Sequence, residues 1–73
     1  MPEYSRILIE EYCMSHSQTK KTKFLWDMVQ KSYDMYYEPD DYEILYLEQL
    51  IPREKDPKLK EALQDLDDFM LGY

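Results

Sequence analysis

The sequence predicts an all-α fold, a small bundle of three to four helices with short antiparallel connections. Three observations predict it. Apolar residues recur at three- and four-residue spacing over most of the chain. The 73 residues contain a single glycine, Gly72, whereas a strand-rich fold would place glycine at its turns. Pro2, Pro39, Pro52 and Pro57 punctuate the periodic stretches, where proline starts or stops helices.

The first helix is expected from Pro2 to about Met14. Pro2 suits a first helical turn, and Glu3 complements the positive helix end. Tyr4, Ile7, Leu8 and Tyr12 keep helical spacing, although the run Ile7-Leu8-Ile9 taken alone also fits a strand. Ser15 through Thr19 is a polar connection, with Ser17 or Thr19 as the next N-cap.

The second helix is expected from about Thr19 to Tyr37. Leu25, Met28, Val29, Tyr33 and Tyr36 share one face, and Phe24, Trp26, Met35 and Tyr37 broaden it. A helix apolar on several sides belongs at the centre of a fold or against a partner. Pro39 ends it, because the residue before a proline is pushed out of the α region.

The third helix is expected from about Asp40 to Leu50, opened by Pro39, Asp40 and Asp41. Ile44, Leu47, Leu50 and Ile51 form its face, Tyr42, Leu45 and Tyr46 extend it sideways, and Pro52 stops it. The fourth has the clearest pattern. Asp56 is its N-cap, Pro57 its first residue, and Leu59, Ala62, Leu63, Leu66, Phe69 and Met70 its apolar stripe. Lys58, Lys60, Glu61, Asp65, Asp67 and Asp68 take the opposite side, and Gly72 caps the end.

Residues 1–73 make one domain with a thin core. One cysteine allows no internal disulfide, so stability must come from tight helical packing or from a partner, including a second copy. Hydrophobic residues at 44% and aromatic residues at 15% set the chain apart from disordered sequences. No stretch approaches the roughly 20 apolar residues of a membrane span. The opening Met-Pro-Glu-Tyr lacks the features of a secretory signal. With free Cys13, this leads to the expectation of a cytoplasmic protein with no membrane partner.

The residues give little footing for catalysis. Cys13 and His16 are the sole thiol and imidazole, and they fall at a helix end without an oxyanion loop. The same pair supplies two of the four ligands of a structural zinc site. The acidic run from Asp34 to Glu43 lacks the glycine turn of a calcium loop. No enzyme activity, metal or cofactor is therefore expected.

Charge carries more information. The net charge is −7, and it is segregated. Lys20, Lys21 and Lys23 cluster before a long stretch, Ser32 to Leu50, that holds Asp34, Glu38, Asp40, Asp41, Glu43 and Glu48 and no basic residue. Tyr33, Tyr36, Tyr37, Tyr42 and Tyr46 are interleaved with these acids. Tyrosine combines contact area with a polar tip and is common in binding hot spots. The expected partner surface is Tyr33, Asp34, Tyr36, Tyr37, Glu38, Asp40, Asp41, Tyr42, Glu43 and Glu48. Its expected counterpart is a basic patch on a larger protein, with the carboxylates imitating nucleic-acid phosphates. Small phage or mobile-element inhibitors of nucleic-acid enzymes have this general character, an analogy of class only. The main alternative is a structural subunit or homodimer whose acidity serves solubility. Direct nucleic-acid binding through three lysines is opposed by the net charge.

Overall fold

The computed structural model describes residues 1–72. Four helices follow one another: α1 (Glu3–Ser15), α2 (Lys20–Lys31), α3 (Asp41–Arg53) and α4 (Pro57–Met70). There is no strand among the described residues, so Ile7-Leu8-Ile9 lies in helix. The four form a small all-α bundle with a radius of gyration of 11.1 Å.

Local chemistry sets most of the helix starts. Thr19 caps α2: its side chain accepts from the Thr22 N–H, and the Thr22 hydroxyl oxygen accepts from the Thr19 N–H. Asp40 and Glu43 make the same reciprocal box at the start of α3. Asp56 accepts from the Lys58 N–H, with Pro57 at the first position of α4. Only α1 lacks a side-chain cap, and Glu3 in its first turn is the one acidic group there.

The core comprises Ile9, Leu25, Met28, Val29, Leu47, Leu50, Leu59, Ala62, Leu63, Leu66 and Met70. Helix α4 supplies Leu59 through Met70 of this set and packs on both α1 and α3. Helix α1 also packs on α2. Of the two places that the broad apolar face of α2 allowed, the centre of the fold is not the one it takes, because α1 and α4 each pack on two neighbours.

Four further expectations need correction. Helix α2 ends at Lys31, not Tyr37. The Ser32 hydroxyl donates back to the Val29 carbonyl at 2.6 Å, and Arg6 from α1 engages the Ser32 carbonyl at 2.7 Å. That closure leaves residues 33–40 as a connection, and Tyr33, Met35 and Tyr36 point outward from it. Second, the inner side of α1 carries Ser5 and Ile9, with Leu8, Tyr12 and Cys13 beside them, so Tyr4 and Ile7 lie outside. Ser5 is tolerated on that buried side because its hydroxyl donates to Asp65 of α4. Third, Pro52 does not stop α3; it occupies the last turn, where its fixed φ suits a helix and only one amide donor is lost. Fourth, Asp65 and Asp67 do not join the solvent side of α4. Asp65 is half-buried against Ser5, and Asp67 is 6% exposed.

No helix among the described residues is long and apolar enough to cross a membrane.

Candidate functional site

The acidic, tyrosine-rich segment divides into an outward set and an inward set. The connection between α2 and α3 is built from turns. The Tyr33 and Asp34 amides donate to the Gln30 and Lys31 carbonyls, and the Asp34 carboxylate accepts from the Tyr36 N–H at 2.9 Å. This turn throws Tyr36 into solvent at 84% exposure and Met35 at 77%. Tyr33, Asp34 and Glu38 are exposed along the same stretch.

The outer face of α3 continues the surface. Asp41, Leu45 and Glu48 are spaced at four and three residues and so lie on one side, with Tyr42 next to them. All four are exposed. Asp40 is exposed as well, although its carboxylate is engaged as the N-cap. The Tyr42 and Tyr46 rings stack at 6.0 Å, and the Lys20 ammonium lies 5.7 and 5.0 Å from their centroids. Tyr46 also meets Phe24 edge-on at 4.5 Å, which fastens α3 to α2.

Glu43 faces inward at 7% exposure, unlike the other proposed contact acids. Its carboxylate accepts from the Lys31 ammonium at 2.7 Å, the Tyr37 hydroxyl at 2.6 Å and the Asp40 N–H at 3.1 Å. Burial works against the charge of Glu43, but these three donors outweigh it and hold the carboxyl below its usual 4.5. Lys31 is pushed above its usual value by Glu43, then by Asp27 at 2.9 Å and by Tyr37. Hydrogen bonding to Glu43 likewise raises Tyr37, which is half-buried. Glu43 and Tyr37 thus hold the connection in place and leave the outward surface to their neighbours.

Sequence reasoning missed Met35 and Leu45, both of which it assigned to apolar helix faces. Leu45 follows Asp41 by four residues, a spacing that placed it on the acidic side of α3 from the start. The role of Glu43 had a local signal too, the Asp40-x-x-Glu43 capping pattern.

Among the described residues, the salt bridges are Lys21–Glu54, Lys31–Asp27 and Lys31–Glu43. Asp34, Glu38, Asp40, Asp41 and Glu48 therefore face solvent without an internal cation.

Cys13 and His16 are each turned to other partners. The Cys13 thiol donates to the Thr22 carbonyl at 3.4 Å, and burial followed by the Glu10 charge pushes it up, against the pull of Lys21. A nucleophilic cysteine needs the opposite shift. His16 Nδ1 lies 2.8 Å from the Tyr12 carbonyl, and its ring rests on Tyr12 at 4.1 Å. Among the described residues no group of three or more His, Cys, Asp or Glu side chains is placed to hold a metal ion.

The fold and this surface define a small helical domain with an acidic, ring-bearing exterior. No family model, curated protein or solved structure matches the chain.

Proposed function

We propose that the protein is a small binding regulator or inhibitor that docks the outward set, Tyr33, Asp34, Tyr36, Glu38, Asp40, Asp41, Tyr42 and Glu48, on a basic patch of a larger protein. A nucleic-acid-processing enzyme is the favoured class of target, because such enzymes carry extended basic grooves that a row of carboxylates can occupy in place of phosphates. The observation that carries the reading is the pairing of exposed rings with exposed acids that have no internal cation among the described residues. Rings supply desolvated contact area, and unpaired carboxylates supply steering and register. Met35 and Leu45 add apolar area within the same surface. In this reading the protein is not an enzyme and carries no cofactor, and it acts in the cytoplasm.

The test is affinity capture with the tagged protein, run beside a variant carrying Tyr36→Ala, Glu38→Lys and Asp41→Lys. The expected result is a protein partner that the variant fails to retain and whose affinity falls steeply as salt rises. A partner retained equally by both, or binding indifferent to salt, overturns the reading.

A further inference from the structure

We propose that the hollow between the end of α1 and the start of α2 binds a small apolar carboxylate. The hollow has a volume of about 410 Å³. That lies in the range of roughly 300–1,000 Å³ typical of small-molecule sites. Cys13, Met14 and Trp26 give it an apolar lining, and Lys23 and Gln18 add a cation and a neutral amide donor. Met14 and Trp26 are both exposed, so the lining has apolar surface left to cover.

Charge selects the ligand class. The other lysines of α2 are engaged. Lys20 lies over Tyr42 and Tyr46, Lys21 reaches Glu54 at 3.1 Å, and Lys31 holds Asp27 and Glu43. Lys23 forms no salt bridge among the described residues, yet it lines the hollow. It also sits in the first turn of α2, where the helix dipole adds to its positive potential. A ligand amine would meet like charge, and an uncharged apolar ligand would leave the ammonium unused. A carboxylate on a short apolar body uses both the ammonium and the indole. The hollow shares no residue with the docking surface at 33–48, so the two proposals stand or fall separately.

Trp26 is the only tryptophan in the chain, so its fluorescence reports on the hollow directly. The experiment titrates the full chain with octanoate, octanol and octylamine, and repeats the octanoate titration on Lys23→Gln and on Lys60→Gln, whose position on α4 is outside the lining. The expected result is a saturable change with octanoate, weaker responses to the other two, and a roughly fivefold loss of affinity in Lys23→Gln alone. Far-ultraviolet circular dichroism checks that each variant is folded; Lys23 is exposed and has no salt bridge to lose among the described residues. No saturable change with octanoate overturns the proposal. So does an octanol response equal to that of octanoate, or an affinity unchanged by Lys23→Gln.

Discussion

Arg6 of α1 closes the end of α2 through Ser32: its Nε donates to the Ser32 hydroxyl oxygen at 3.0 Å and its Nη2 to the Ser32 carbonyl at 2.7 Å. The cation meets the negative end of the helix dipole, and the Tyr33 ring lies 4.7 Å from the guanidinium carbon. Arg6→Ala is expected to lower stability by about 2 kcal/mol, since it removes two charge-assisted hydrogen bonds from a half-buried site. Arg6→Lys recovers only part of the loss, because an ammonium lacks the planar fork. Urea denaturation of the three proteins checks both statements.

That contact also explains where sequence reading succeeded and where it failed. Helix α4 was legible because Asp56-Pro57 marks its start and Leu59 to Met70 keep an unbroken stripe, all within one segment. The end of α2 was not, because Tyr33, Met35, Tyr36 and Tyr37 continue the apolar pattern while the stop comes from Arg6, 26 residues away in sequence. Asp67 was misplaced although its spacing from Leu63 and Met70 puts it on the core side of α4. The interleaving of acids with tyrosines marked the second connection, and Tyr36 and Tyr42 are exposed as expected, whereas Tyr37, expected beside them, is half-buried. The inward turn of Glu43 depends on Lys31 and Tyr37 reaching it in space.

Glu43 makes stability depend on acid in a specific direction. Its folded value lies below the ordinary 4.5, so its contribution is present above 4.5 and is lost as pH falls through the folded value. Glu43→Gln is expected to cost on the order of 1 kcal/mol at neutral pH and to flatten the acid limb of the stability profile. Denaturant titrations from pH 7 to below 4.5 measure this.

Asp67 acts in the opposite sense. Its Oδ1 is buried without a hydrogen-bond partner among the described residues, and burial, then Glu48 and Asp68, raise the carboxyl above 3.8. Its favourable protonated state is fully present below 3.8 and is lost as pH rises through the raised folded value. Asp67→Asn removes that loss and is expected to stabilise the protein at neutral pH by on the order of 1 kcal/mol. Equal or lower stability of the variant at neutral pH contradicts this account.

The proposed docking role of Tyr36 separates folding from binding. At 84% exposure its ring supports little of the fold, so Tyr36→Ala is expected to change stability by no more than about 0.5 kcal/mol. The same change is expected to weaken partner capture by about tenfold or more. Thermal unfolding and surface-immobilised binding on one preparation read the two effects side by side.

The turn-rich stretch between α2 and α3 is anchored at one end by Arg6 on Ser32 and at the other by Lys31 and Tyr37 on Glu43. A strap riveted at both ends has already surrendered most of its freedom before it meets anything. Under the proposed docking, contact made through it would forfeit little further entropy, and encounters would be governed by collision and electrostatic guidance and not by a slow ordering step.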